Sequence, residues 1–286
     1  RLCIGKNGQL RPSLGAQTPN NSNDKTGKPL AEPPYLVCLA EEDDLPSLSR
    51  LTIDAFGTDV VTLSGELNEF ERALIGPTVG VWNAYTDIFA FTEVLSGLRT
   101  RMSHRLGNGP GDGGNVSVAP PPVTGVSSAD AAEIAKRSSL ILAVARRGDG
   151  DDVDCVATVE LRLQPTDAKI PFSQPWLDAV ERKMANLLGV DTSPRDSVLQ
   201  PYLSNLCVAE NVRGRMIGRA LVRCVDRIAA NAWGYDQLYL HVDLKNTPAI
   251  KLYKSEGFED VGIRWNPFWA GTSAEIGYFV KKLERK

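Results

Sequence analysis

Histidine is almost missing from this chain, with two in 286 residues. The five cysteines, Cys3, Cys38, Cys155, Cys207 and Cys224, stand far apart without a CxxC or other metal-type pairing. Neither residue type therefore offers a metal site, and no metal is expected. Four of the cysteines, Cys38, Cys155, Cys207 and Cys224, sit among apolar residues as small core side chains, which fits a reducing compartment. Long apolar runs are lacking too; none approaches the length of a membrane-crossing helix. There is no excess of one charge. Lys+Arg 32 against Asp+Glu 35 leaves a net charge of -3, which gives no general attraction to nucleic acid. The one basic cluster, Arg99, Arg101, His104 and Arg105, is read as a helix C-terminus.

The rest is ordinary for a soluble globular protein, and the length suits one elaborated domain or a domain with a tail. Residues 1–34 are rich in Asn, Ser, Thr, Gly and Pro, with Arg1, Lys6, Arg11, Lys25 and Lys28 against Asp24 and Glu32. Such a composition cannot build a core. It is expected as a disordered tail or as the remnant of an organellar transit peptide. The domain is expected over 35–286, opening with the apolar strand YLVCLA, the acidic run Glu41 to Asp44 at a helix start, and a helix through Phe56. Residues 63–106 read as largely helical, interrupted near Gly76-Pro77. NGPGDGGN and APPP make 107–128 a loop or disordered linker. Two strands, Ser139 to Arg146 and Asp154 to Leu163, follow. Residues 164–200 form a long insertion with a helix near Trp176 to Leu188. A loop with Trp265, Phe268 and Trp269 and a strand from Ala274 to Lys281 close the chain.

The informative stretch is 202–258. Leu203 to Val208 reads as a short strand. The run Arg213-Gly214-Arg215-Met216-Ile217-Gly218-Arg219 then opens a helix whose apolar residues Ile217, Leu221, Cys224, Val225 and Ile228 fall at helical spacing, and Gly234 supplies the stop. A Gly-containing turn feeding a helix N-terminus presents unpaired N–H groups and the positive end of the dipole, which suits a pyrophosphate. The arginines add charge for phosphate oxygens. Gln237 to Asp243 reads as a second strand, Thr247-Pro248 as N-cap and first helical position, and Gly257 as the end of that helix.

The order of these features, with Asn246-Thr247-Pro248-Ala249-Ile250-Lys251-Leu252-Tyr253 and Gly257-Phe258, resembles the acetyl-CoA-binding core of the GNAT acetyltransferases. The wording PYLSNLCVAENVRGRMIG and LYLHVDLKNTPAIKLYKSEGF is similar to the plant and algal plastid branch. The resemblance implies an α/β GNAT fold, with a mixed, splayed sheet of about seven strands flanked by helices. It implies acetyl-CoA as cosubstrate, held by Leu206, Cys207 and Val208 of the first strand, by Arg213, Gly214, Arg215, Met216, Ile217, Gly218 and Arg219, and by Asn246 and Tyr253. Backbone N–H groups near Leu206 to Val208 would hold the thioester oxygen. One position departs from the family's R/Q-x-x-G-x-G/A turn: Met216 stands where glycine is usual, and its side chain is expected to point toward the core.

By the same resemblance His241, twelve residues before Tyr253, is the general base acting through a water. Tyr202, eleven residues before Arg213, is its partner, and Tyr253 is the proton donor to CoA sulfur. Taken alone, a histidine on a strand or a tyrosine beside Phe258 is equally a packing residue, and that reading stays open. The acceptors implied are protein or peptide N-termini, with lysines as a second class. Neutralising a free α-amine at pH 7.5 costs under about 1 kcal/mol and a lysine roughly 4 kcal/mol, so a histidine base matches the easier task. Two other functions stand beside this one: a small-molecule amine acetyltransferase, and a noncatalytic CoA-binding subunit of a larger assembly. A plastid location is implied by the resemblance, with a cytoplasmic one as the alternative.

Overall fold

Alternation along the strand Gln237–Asp243 shows how the molecule is layered: Leu238, Leu240 and Val242 are buried, while Tyr239 and His241 between them are half-exposed on the other side. The computed structural model describes residues 2–4, 10–12, 35–56, 87–103, 105, 134, 137–146, 155–165, 198–265 and 275–285. The elements are β1 (Leu2–Ile4), β2 (Leu10–Pro12), β3 (Tyr35–Leu39), α1 (Leu45–Phe56), α2 (87–103), β4 (Leu140–Arg146), β5 (Cys155–Pro165), β6 (Leu199–Val208), α3 (Ile217–Arg227), β7 (Gln237–Asp243), α4 (Thr247–Ser255), β8 (Glu259–Trp265) and β9 (Ile276–Lys282). They build one open sheet in the order β2-β1-β3-β4-β5-β6-β7-β9-β8. The β6–β7 pair is parallel and the other pairings are antiparallel, so the sheet is mixed.

Seven of these strands, β3 to β9, match the expected number. Strand β8 is the one of these seven for which the sequence pattern suggested no element; it is an edge strand, and Val261 and Ile263 are exposed on it. Strands β1 and β2 extend the opposite edge within a segment whose composition suggested none, and the rest of residues 1–34 lies outside the described residues. Also outside them are the expected loop at 107–128, the helix near 176–188, the interruption at Gly76-Pro77, and Phe268 and Trp269.

Register divides the side chains between two faces. On one, Leu142, Val159, Leu161, Leu203, Leu240 and Phe279 form the main core with Leu221, Val222 and Val225 of α3 and Ile228 just past its end. Each of these four helical residues is fully buried, worth roughly 1.5–3 kcal/mol apiece. Their helical spacing gives α3 its single apolar stripe, as expected. The helix runs on into a π turn, Ile228–Ala232, and stops at Gly234, whose φ of +75° favours glycine. On the other face Ile141, Ala143 and Cys155 pack with Leu45 and Leu48 of α1 and Leu98 of α2. The basic cluster at the end of α2 is partly drawn into the protein: Arg101 pairs with Glu160, and Arg105 Nη1 donates to the Ser138 carbonyl at 2.9 Å.

Helix α4 starts one residue earlier than expected. Asn246, not Thr247, is its N-cap, because the Asn246 carboxamide oxygen accepts from the Ala249 N–H at 3.1 Å, leaving Thr247 and Pro248 in the first turn. The helix ends at Gly257, with φ +88°. Among the described residues no helix is long and apolar enough to cross a membrane, and no group of three or more His, Cys, Asp or Glu side chains is arranged to hold a metal ion.

Leu221→Ala should leave a cavity between α3 and the sheet and lower stability by about 2–5 kcal/mol; a denaturant titration will show the midpoint falling at unchanged slope.

Candidate active site

The β6–β7 ladder is only two pairs long, Tyr202↔Tyr239 and Leu203↔Leu240, although β6 continues to Val208 and β7 to Asp243. A bulge causes the break. Against β5, Glu160 lies opposite Ser204 and Thr158 opposite Cys207, so β6 carries one extra residue over this stretch. Asn205 takes it up with a left-handed backbone, φ +52°. A bulge bends its strand and raises its twist, so β6 turns away from β7 and a cleft opens between their carboxyl ends. The backbone of Leu206 to Val208 borders that cleft.

Three sequence-predicted residues converge at its inner end. The Tyr202 hydroxyl and His241 Nδ1 share a hydrogen bond of 2.8 Å. Tyr253 approaches from α4, stacked edge-on against Phe258 at 5.6 Å. Both phenols are buried. Burial pushes the Tyr202 hydroxyl well above the usual tyrosine range, against the opposing pull of Arg162 and the His241 bond. Burial does the same to Tyr253, with Tyr202 and Cys207 close enough to add to it. Both therefore stay protonated at neutral pH. Burial also pushes the Cys207 thiol up to about 12.

The loop before α3 has two left-handed residues, Gly214 at φ +79° and Met216 at φ +64°. Met216 is the N-cap and makes no side-chain cap bond, and the first α-helical bond of this turn is Ala220 N–H to the Met216 carbonyl. The N–H groups of Ile217, Gly218 and Arg219 thus face outward with the positive end of the dipole. The Met216 side chain does not point into the core; it is 57% exposed. The left-handed backbone turns it outward, and that same backbone explains why glycine is usual at this position. A Cβ on Gly218 would face the protein, 3.4 Å from Leu252 and 3.6 Å from Val208, which are ordinary contact distances.

The arginines diverge. Arg213 Nε donates to the Val208 carbonyl at 3.1 Å, and Arg215 Nη1 to the Tyr35 hydroxyl at 2.9 Å. Arg219 is engaged by α4 through Glu256 and Ser255.

Sequence reasoning overlooked a row of polar and aromatic residues beside Tyr202 and His241. Register places Glu160 and Arg162 of β5, Tyr202 of β6, Tyr239 and His241 of β7 and Tyr278 of β9 on one face. His241 stacks on Tyr278 at 4.6 Å, Tyr278 on Tyr239 at 5.3 Å, and the Arg162 guanidinium lies over the Tyr202 ring at 5.8 Å. Glu160 is buried. Its carboxylate pairs with Arg101 at 3.1 Å and accepts from Asn205 Nδ2 at 2.8 Å and from the Ser139 hydroxyl. Burial alone would raise its pKa, but Arg101 and Arg162 with these hydrogen bonds outweigh that and hold it below the ordinary value. The signal was present in the sequence: two charges at period two, Glu160 and Arg162, inside the apolar strand VELRL.

Residues 151–258 match the model of the acetyltransferase (GNAT) family. This segment is a GNAT-family domain. The chain is 32% identical over 129 residues to GCN5-related N-acetyltransferase 4, chloroplastic, of Arabidopsis thaliana, covering 42% of each. It is 29% identical over 79 residues to an N-alpha-acetyltransferase of Sulfurisphaera tokodaii, covering 28% of this chain and 47% of the relative. The chain thus spans less than half the length of these curated relatives. A crystal structure of Arabidopsis thaliana NAA60 in complex with acetyl-CoA aligns at 18% identity with a TM-score of 0.45, over 87% of this chain and 98% of that one.

Met216→Gly should raise stability by about 0.5–1 kcal/mol, the relief of left-handed strain less the added unfolded-chain entropy, in a denaturant titration. Glu160 has a lowered folded pKa, so its contribution is present above its ordinary value of 4.5 and is lost as pH falls through the folded value. Stability followed as pH falls through 4.5 and below should decline, and Glu160→Gln should flatten that decline while costing about 3 kcal/mol at neutral pH.

Proposed function

We propose that this protein transfers acetyl from acetyl-CoA to the α-amines of protein N-termini, with lysine side chains as second acceptors. The observation that carries the reading is the 2.8 Å Tyr202–His241 bond at the inner end of the β6–β7 cleft. The family match and the outward N–H groups of α3 support the cofactor assignment. Gly214, with nothing within 4 Å of where a Cβ would stand, leaves the backbone open to a pyrophosphate there, with Arg213, Arg215 and Arg219 as the charges within reach of the loop. Leu206, Cys207 and Val208 offer backbone N–H groups to the thioester oxygen, and Asn246 starts the helix that delivers Tyr253.

The chemistry follows from the protonation states. An amine nitrogen attacks the thioester carbon directly. Its proton passes through a water to His241, and the imidazolium then donates from Nδ1 to the Tyr202 oxygen, which can serve either form of the ring because a hydroxyl both donates and accepts. The Tyr278 face adds a cation–π contact to the charged ring. The C–S bond breaks, and the departing thiolate takes a proton from Tyr253, which solvent restores from His241. Cys207, held protonated by its thiol pKa of about 12, supports this direct route over an acyl-enzyme. The chloroplastic name of the Arabidopsis relative supports a plastid location.

The test is acetyl transfer read by intact mass on two peptide pools, one with free N-termini and no lysine, one with blocked N-termini and lysines. Mass gain in the first establishes α-amine transfer, and gain in both makes the enzyme dual. Gain on polyamines alone overturns the reading in favour of a small-molecule enzyme, and silence everywhere in favour of a noncatalytic subunit of a larger assembly. His241→Ala should lower turnover by about 10²-fold with little change in CoA affinity; unchanged turnover would remove the histidine from the role of base.

A further inference from the structure

Glu160 lies on β5, outside the motif that defines the cofactor site, yet its carboxylate is attached to three other elements. Arg101 reaches it from α2, Ser139 from just before β4, and Asn205 from the bulge in β6. The bond to Asn205 is the consequential one. Asn205 is the β6 residue with a left-handed backbone, two residues beyond the last β6–β7 pair. The bulge also sets register. On one side of it Cys207 lies opposite Thr158, and on the other Ser204 lies opposite Glu160. Without the extra residue, the first half of β6 would slip by one position against β5, and a one-residue slip moves every side chain to the opposite face. Tyr202 would leave the face that carries His241.

We propose that Glu160 is a positioning residue: through Asn205 it holds the β6 bulge, keeping Tyr202 in register with His241 and the end of β6 turned away from β7. Arg101 and Ser139 fix the carboxylate so that the clasp does not move with solvent. Arg162, two residues along β5 and paired in register with Tyr202, shares the face and helps hold Glu160 in its charged form. The link joins α2 to the cleft, so groups on opposite sides of β5 share one anchor. Its bearing on catalysis rests on the acetyl-CoA reading above; its bearing on the Tyr202–His241 pair does not.

The test exploits the difference between alanine and glycine at position 205. Glycine adopts a left-handed backbone without a clasp, whereas alanine resists it. Two readouts are taken on folded protein: the ring 15N signals of His241, distinguished from those of His104 by His104→Gln, and CoA affinity by calorimetry. Tyr202→Phe marks the His241 signal without the hydrogen bond. Asn205→Ala and Glu160→Gln should move His241 toward that marker and weaken CoA about tenfold. Asn205→Gly should keep both readouts near wild type, and Glu160→Gln with Asn205→Gly should recover them. A His241 signal unchanged in folded Glu160→Gln, or no recovery with glycine, overturns the proposal. Where Glu160→Gln does not fold, Asn205→Ala against Asn205→Gly decides: equal His241 signals in the two overturn it. Absence of CoA binding by the wild type would sink the acetyl-CoA reading instead, with the 15N comparison still deciding the role of Glu160.

Discussion

The break in the β6–β7 ladder after Leu203 is the constraint on which the rest of this structure depends. A parallel pair that stayed zipped to its end would bury its backbone groups in hydrogen bonds and leave no opening at the strand ends. Here one extra residue in β6, absorbed by Asn205 in a left-handed conformation, ends the pairing early. The same bulge sets which face Tyr202 occupies. Cleft and side-chain placement therefore come from one local irregularity.

The sheet is divided in character as well as in space. Its α3 face is a continuous apolar core from Leu142 through Leu161, Leu203 and Leu240 to Phe279. Its other face is apolar where α1 and α2 pack, on Ile141 and Ala143 of β4 and Cys155 of β5, and becomes a polar and aromatic row toward β7 and β9. That arrangement puts ionisable groups next to a well-packed wall. Burial keeps the phenols of Tyr202 and Tyr253 protonated, while Glu160, equally buried, stays ionised because two arginines and two hydrogen bonds outweigh the loss of water. Similar burial produces opposite outcomes, and the neighbours decide which.

The loop before α3 shows a local cost carried for geometry. Met216 holds a left-handed backbone that glycine adopts more easily, and its side chain ends up exposed beside the outward N–H groups of the helix. Arg219, for its part, is tied to Glu256 and braces α3 against α4. Side chains in this turn are thus shared between holding helices together and presenting charge.

The sequence by itself determined the elements around the site, because their signals are local. The period-two pattern of Gln237–Asp243, the helical stripe Ile217, Leu221, Val225, Ile228, the stops at Gly234 and Gly257, and the spacing of Tyr202, His241 and Tyr253 were all legible in short windows. Strand β8 was not, since its exposed residues Val261 and Ile263 carry no burial signal, and the Asn246 cap differed from expectation by one residue. Tertiary structure alone decided what those windows cannot contain. The direction of Met216 follows from a backbone torsion. The bond from Asn205 to Glu160 joins residues 45 positions apart, and Arg101 comes from farther still. Which charge meets which across that distance depends on strand register, a property of pairing between segments that no single segment encodes.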